Sequence, residues 1–397
     1  MSRYFTIIGT GSGQPEDLTR QARDAMACAG LLLSTDRLAE NLSGLGNIET
    51  CPTGKLAERA LAADVQRVGI LVSGDAGFFS AAKALSGKLA AYGEVEVLCG
   101  LSSMQMLCAR LGTTYEDAVW LSLHGRKGNL LGAVSYNRKV FALTGGDQNA
   151  QKLCQSLVDA GLGHVRVSRG ENLGAAEEQV LTGTAAELAE KPCGSLAVLL
   201  IENDQPGDPT LPIRDSDMER GNVPMTKQEA RWAAVNLLDL RAGDIVYDVG
   251  AGTGSVSMEM ARRVPRGVVY AIERGTEGIA LIDRNRKALG CYNVLPVQGE
   301  VPAAMENLPT PDAAFIGGSG GTLFETLSIL KERNPKIRVV VTAVSLETLS
   351  DAQIALSTLE FEHIAISQIS AVRGQKADGS TPLKANNPIF LLSGGAR

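Results

Sequence analysis

A chain of 397 residues, 44% hydrophobic and 21% charged, has apolar material for two or three cored domains. A formal charge of −6, no block of lysine or arginine and only 4% aromatic residues argue against a surface that holds nucleic acid or an anionic membrane. No apolar run approaches the roughly 18 residues of a membrane span, and residues 1–9 enter a strand pattern at once, so neither an anchor nor a secretory leader is expected.

In chain order, the first half predicts strands at 4–8, 69–72, 94–98, 119–122, 139–143, 164–168 and 196–201. Glycine-bearing loops follow several of them: Gly9-Thr10-Gly11-Ser12-Gly13, Val72-Ser73-Gly74-Asp75-Ala76-Gly77-Phe78, Cys99-Gly100-Leu101-Ser102-Ser103 and Ser122-Leu123-His124-Gly125-Arg126. Small polar loops at strand ends are the usual walls of a ligand cleft. The stretch 112–124 divides this half into two lobes. Residues 203–222, with three prolines, many acids and no apolar period, predict a linker. The second half predicts strands at 244–249, 268–273, 293–298, 312–316, 337–344, 363–369 and 388–392, with helices such as 256–263, 277–289 and 323–332 between the earlier ones. That alternation predicts a doubly wound sheet with its ligands at the carboxyl ends of the strands. No clear helix separates the last two strands, so they are expected to pair antiparallel.

Seven cysteines (28, 51, 99, 108, 154, 193, 291) form no C-x-x-C pair, and the three histidines lie far apart. This predicts reduced thiols, a cytoplasmic setting and no metal site.

The strongest local signal is Ile245-Val246-Tyr247-Asp248-Val249-Gly250-Ala251-Gly252-Thr253-Gly254-Ser255, an apolar strand ending in an acid and running into G-x-G-x-G. A dinucleotide loop would want G-x-G-x-x-G, and Ser255 stands where the third glycine belongs. A carboxylate at Asp248 would repel a pyrophosphate but suits the ammonium and sulfonium of S-adenosyl-L-methionine. Glu273 ends the next strand, where an acid receives ribose hydroxyls. The loop Gly299-Glu300-Val301 ends the third and is placed for the adenine edge. Helix-capping acids are the plain alternative; three strand-end signals in register favour the cofactor.

The second half, from about Met225 onward, closely resembles the cobalamin-pathway decarboxylating methyltransferases of the class I fold. The resemblance rests on Pro224-Met225-Thr226-Lys227, the Asp248–Ser255 loop, Ala271-Ile272-Glu273-Arg274, Pro311-Asp312-Ala313-Ala314-Phe315-Ile316-Gly317-Gly318-Ser319-Gly320-Gly321 and Asn387-Pro388. It implies that Thr226 and Val301 also touch the cofactor. It also implies that Gly317, Gly318, Ser319 and Gly320 form a flat face for a large substrate, with the following helix N-terminus open to a carboxylate. Gly299-Glu300-Val301 stands where that family usually has Gly-Asp-Ala.

Residues 3–203 resemble the tetrapyrrole methylase family, in its corrin C5-methylating branch. By that resemblance Gly74, Asp75, Ser102 and Ser103 are cofactor contacts, with Thr144 a further candidate, and Gly11 borders the substrate trough. Ala76 replaces the usual proline. His124 and Arg126 are the candidates for catalytic contact with substrate. Arg169, Arg373, Lys376 and Lys384 are further carboxylate partners in principle, with surface solvation the expected fate of each.

The expected fold class is α/β: an N-terminal two-lobed tetrapyrrole methylase fold (1–204), a linker (205–222) and a C-terminal Rossmann-like class I methyltransferase fold (223–397). The resemblance implies methylation at C5 and C15 of precorrin-6B with loss of the C12 acetate carboxyl, and so a corrin-type tetrapyrrole as substrate; a homo-oligomer is the expected assembly. A nicotinamide-dependent oxidoreductase and a non-catalytic tetrapyrrole-binding protein are the alternatives.

Overall fold

The structure is a computed structural model that describes residues 3–124, 128–374, 376 and 380–396. It divides into two compact units, one of Met1–Lys127, Lys139–Gln155 and Val165–Glu202, the other of Gly128–Arg138, Ser156–His164 and Asn203–Arg397.

The first unit holds two five-stranded sheets. Strands β1 (Tyr4–Gly9), β2 (Leu31–Ser34), β3 (Ile48–Thr50), β4 (Arg67–Val72) and β5 (Glu94–Leu98) make a wholly parallel sheet in the order β3-β2-β4-β1-β5. Its central strands are near-continuous apolar runs because both faces are covered. Phe5, Ile7, Val68, Ile70 and Val72 pack on one side, and Ile8, Leu32 and Leu71 on the other. The order puts β1 between β4 and β5, so the loops leaving those three strands meet. Strands β6 (Val119–Ser122), β7 (Lys139–Leu143), β8 (Arg166–Glu171), β9 (Gln179–Thr184) and β10 (Ala197–Glu202) form the second sheet, ordered β6-β7-β10-β8-β9. Only the β6–β7 pair is parallel there. The two sheets part between β5 and β6, within the stretch expected to separate two lobes. Strands β2, β3 and β9 were not anticipated; β2 and β3 have only four and three residues, too short for a period to register.

The second unit is built on β11 (Ile245–Val249), β12 (Val268–Glu273), β13 (Val294–Gln298), β14 (Ala313–Ile316), β15 (Arg338–Ala343) and β16 (Ala365–Ile369), with a hairpin of β17 (Val372–Gly374) and β18 (Leu383–Ala385), and β19 (Ile389–Gly394). The seven-stranded sheet runs β13-β12-β11-β14-β15-β19-β16. β19 inserts antiparallel between β15 and β16, so the last two sheet strands do pair antiparallel. The chain winds outward from β11 in one direction and from β14 in the other. That switch opens a crevice at the carboxyl ends of β11 and β14.

The segment expected as a free linker is docked instead. Ile213 and Met218 are buried in the core of the second unit, beside Val246 and Phe315. Arg231, fully buried, donates to the Ile213 carbonyl at 2.6 Å and pairs with Asp215 at 3.2 Å. Two apolar side chains and one acid suffice to strap the segment down, too few to set a period in the sequence. Residues 128–138 also group with this unit: the Tyr136 hydroxyl donates to Asn293 Oδ1 at 2.9 Å.

Candidate active site

A cavity of about 720 Å³ opens at the carboxyl end of the second unit's sheet. Thr226, Asp248, Gly250, Gly252, Glu273, Glu300, Val301, Gly317, Gly318, Ser319 and Gly320 all line it. Residues spread over about a hundred positions in sequence are thus brought together: all but Thr226 lie at or just beyond the ends of the parallel strands β11 to β14, and Thr226 enters from the turn before the helix Gln228–Leu237.

The floor is two glycine loops in contact. Gly250 has a left-handed backbone (φ 73°), and a β-carbon there would collide with the carbonyl oxygen of Gly318 and lie 2.9 Å from its amide nitrogen. The amides of Gly317 and Gly318 both point to the Val249 carbonyl, at 2.9 and 3.3 Å. Gly254 does not line the cavity. It holds the left-handed turn (φ 78°) into the helix Ser255–Arg263 and packs against Ile282, so its part is in shaping the loop.

Asp248 is buried, with one carboxylate oxygen accepting from the Ser257 hydroxyl and the other without a hydrogen-bond partner. Burial raises its pKa from 3.8 to about 7. An unpaired buried acceptor on a cavity wall is costly unless something positively charged or proton-donating meets it. Glu273 is differently employed: its two oxygens accept from the amides of Gly252 (2.9 Å) and Gly275 (2.7 Å) and hold the loop to the strand end. Each oxygen keeps a lone pair for a hydroxyl. Glu300 is exposed and reaches Arg274 at 3.6 Å.

Thr342 and Val344 at the end of β15, and Ile369, Ala371 and Asn386 around the hairpin base, also line the cavity and were not anticipated. The strand-end rule that found Asp248 and Glu273 would have found Thr342 had it been carried to the fifth strand.

In the first unit the loops after β1, β4 and β5 converge. Gly11 and Gly74 exchange backbone hydrogen bonds at 3.1 and 2.8 Å, and both are left-handed. A β-carbon at Gly100 would lie 2.5 Å from the Gly74 carbonyl and 2.7 Å from Gly9. Asp75 accepts from the Gly100 amide at 3.2 Å. Ser102 caps the helix Ser103–Leu111 in a reciprocal pair with Gln105. Gly11, Gly74, Asp75, Ser102 and Ser103 therefore share one end of the parallel sheet. Thr144 lies in the other sheet, buried, donating to the Ala197 carbonyl at 2.7 Å. His124 is exposed, with its ring against Gly145; Arg126 lies outside the described residues.

One of the arginines expected in solvent is buried, and another is engaged at the surface. Arg169 is buried, pairs with Glu171 at 2.8 Å and donates to the carbonyls of Lys191 and Pro192. Arg373 pairs with Glu229 at 2.5 Å and Asp215 at 2.9 Å. The Arg169 pair is internal; Arg373, its side chain 36% exposed, stays partly in solvent while it pairs with two acids. Lys376 and Lys384 are exposed, as expected. Among the described residues no cluster of histidine, cysteine and acid could hold a metal ion, and no helix is long and apolar enough to cross a membrane.

Residues 218–393 match the model of the precorrin methyltransferase domain, and residues 4–189 that of the tetrapyrrole (corrin/porphyrin) methylases. Over 357 residues, 87% of this chain and 86% of the other, the sequence is 31% identical to the precorrin-6Y C(5,15)-methyltransferase [decarboxylating] of a Sinorhizobium species. The chain belongs to the decarboxylating precorrin-6Y C5,15-methyltransferase family. A probable cobalt-precorrin-6B C(15)-methyltransferase (decarboxylating) of Methanothermobacter thermautotrophicus is 38% identical over 182 residues, which are 45% of this chain and 93% of that protein. A solved structure named precorrin-6Y C5,15-methyltransferase, from Geobacter metallireducens, is 28% identical with a TM-score of 0.45, covering 47% of this chain and 97% of that one. As a precorrin-6Y C5,15-methyltransferase family member the chain is a methyltransferase, and the nicotinamide-oxidoreductase and carrier readings fall away.

Proposed function

We propose that the protein uses S-adenosylmethionine to methylate C5 and C15 of a corrin-type tetrapyrrole, precorrin-6B, with loss of carbon dioxide from its C12 acetate arm. The observation that carries the cofactor assignment is the unpaired carboxylate oxygen of Asp248, a residue that lines the cavity together with Gly250, Gly252, Gly317 and Gly318. The residues fit the group: a buried acid with one oxygen unpaired suits a cation, and a floor without β-carbons admits a flat ligand against backbone. When bound, S-adenosylmethionine supplies a methyl group on a sulfonium, already electrophilic, so the protein's task is in-line positioning and exclusion of water.

In the second unit we assign Asp248 to the cationic end of the cofactor. Thr226 and the loop Gly250–Gly254 border it, Glu273 takes the ribose hydroxyls, and Glu300 with Val301 borders the adenine. Gly317, Gly318, Ser319 and Gly320 form the platform for the tetrapyrrole. In the first unit Gly74, Asp75, Ser102 and Ser103 hold a second cofactor, with Thr144 supporting from the neighbouring sheet. Gly11 borders the substrate there, and His124 and Arg126 contact it. We place C5 methylation in the first unit, and C15 methylation with decarboxylation in the second. Carbon dioxide leaving an acetate arm passes its electron pair into the conjugated ring, which makes a nearby bridge carbon nucleophilic. Coupling of the two events in one pocket follows naturally. The domain borders we propose are 1–204 and 223–397, with 205–222 between them in sequence and packed onto the second, in a cytoplasmic protein.

The test is mass spectrometry of the tetrapyrrole after incubation with enzyme and methyl-labelled S-adenosylmethionine. The expected product carries two labelled methyl groups and lacks one carboxyl. An unlabelled or undecarboxylated product would sink the assignment.

A further inference from the structure

We propose that Arg274 is the anchor for a carboxylate arm of the tetrapyrrole in the second unit's cavity, and that Glu300 occupies this guanidinium until the substrate displaces it. The proposal rests on the reading of that cavity as a methyl-transfer site.

Six charged side chains line the cavity: Lys227, Glu229, Asp248, Glu273, Arg274 and Glu300. Three of the acids are committed. Glu229 accepts from Arg373 at 2.9 Å, Asp248 from Ser257, and Glu273 from the amides of Gly252 and Gly275. Arg274 and Glu300 differ. They leave the ends of neighbouring strands β12 and β13, and their side chains are 70% and 76% exposed with 3.6 Å between the charges. An ion pair so hydrated and so long contributes little and separates readily. A planar guanidinium keeps its donor fork for a better-placed carboxylate, which it can grip with two parallel hydrogen bonds.

Its position is the second argument. A β-carbon built on Gly320 would be 3.9 Å from Arg274 Nη1. The guanidinium therefore stands at the edge of the glycine platform, level with a ligand lying on it. A tetrapyrrole with acetate and propionate arms brings carboxylates to the rim of its flat ring, where such a group would meet them. Glu300, with its side chain 76% exposed, can turn into solvent and stay hydrated when a substrate carboxylate takes its place on the guanidinium.

Four proteins test this: wild type, Arg274→Gln, Glu300→Gln and the double variant. KM for the tetrapyrrole is measured at saturating S-adenosylmethionine by carbon dioxide release, and the Kd of S-adenosylhomocysteine by calorimetry. Arg274→Gln should raise KM about tenfold or more, the size expected for a charge-assisted hydrogen bond, with a smaller change in kcat. Its Kd for S-adenosylhomocysteine should stay within about twofold of wild type, since the surface pair it breaks is weak. Arg274→Lys should recover part of the loss. Glu300→Gln should lower KM about two- to threefold in the wild-type background and leave it unchanged in the Arg274→Gln background, the signature of two coupled residues. An Arg274→Gln protein that binds S-adenosylhomocysteine and keeps the wild-type KM overturns the anchor. A Glu300→Gln effect equal in both backgrounds overturns the competition. Failure of the wild type itself to bind S-adenosylhomocysteine would strike the cavity reading instead.

Discussion

Gly250 and Gly318 meet backbone to backbone at the switch point of the second unit's sheet, with no room for a β-carbon at position 250. The contact joins the loop after β11 to the loop after β14, so the floor we assign to the cofactor and the platform we assign to the substrate are one surface. Gly250→Ala must open that contact and also strain a left-handed residue (φ 73°). It should lower the affinity of the second unit for S-adenosylhomocysteine at least tenfold, against an expected backbone cost of about 1–2 kcal/mol before the clash is counted. Calorimetry on the folded variant checks this, and an affinity within error of wild type would mean the floor is not where the cofactor lies.

The first unit offers a contrast. Gly74 is also left-handed (φ 71°), but no atom stands within 4 Å of a β-carbon built there. A branched residue at this position would meet no protein atom, but it would carry the same left-handed strain as at Gly250, so the variant's fold is checked alongside its product. Gly74→Val should give a product that has lost carbon dioxide but carries one methyl group fewer, whereas Gly252→Val should keep the first methylation and lose the second. If Gly74→Val abolishes carbon dioxide release while Gly252→Val spares it, and both proteins are folded, the roles of the units are exchanged.

Two separate sets of strand-end loops also imply two cofactors per chain. Titration of the wild type with S-adenosylhomocysteine should saturate at two equivalents, and Gly250→Ala should leave one tight site. A single equivalent in the wild type would mean that one loop set binds no cofactor without substrate.

Asp248 sets a pH dependence. Its pKa is raised from 3.8 to about 7 by burial. As pH rises, the unfolded chain releases this proton first, so between about pH 4 and 7 the folded protein holds a proton that the unfolded chain lacks. Stability contributed by this group therefore falls through that window, and the full cost, on the order of 4 kcal/mol, is expressed above pH 7. Asp248→Asn should be the more stable protein at pH 8 in thermal unfolding without ligand, yet bind S-adenosylhomocysteine more than tenfold more weakly through loss of the charge that faces its ammonium. The wild-type affinity should decline as pH falls below 7. Equal unfolding temperatures at pH 8 would show that the buried carboxylate carries no such cost.

The strap makes a boundary prediction. Arg231 is fully buried between Asp215, Glu259 and the carbonyls of Ile213 and Thr226. A fragment starting at Asp204 keeps these partners and all the residues that line the cavity, so it should fold and bind S-adenosylhomocysteine. It should melt below the second transition of the full chain, because it lacks the Tyr136 hydroxyl on Asn293. A fragment starting at Gly221 loses Ile213, Asp215 and Met218 and leaves Arg231 half-partnered, at a cost of about 3–5 kcal/mol. Equal melting temperatures for the two fragments would show that the strap contributes nothing.

Most of the strands could be read from the chain alone, since an apolar run bounded by glycine or an acid carries its own period; Glu94–Leu98, Val119–Ser122, Lys139–Leu143 and Val268–Glu273 have the same bounds in the structure as in the sequence. The glycine loops were legible for a related reason: tight turns and close backbone approach restrict the residue type locally. What could not be read was everything decided by partners distant in sequence. Arg169 looks like a surface cation until the fold buries it against Glu171. The segment 205–222 looks like a free linker until Ile213 and Met218 find a core to enter. Arg274 and Glu300 lie 26 positions apart in the sequence, and only the pairing of β12 with β13 brings their charges to the same rim. A side chain's type constrains the turn it can occupy, but the charge it meets and the water it loses depend on which strands become neighbours, and that is settled when the sheet assembles.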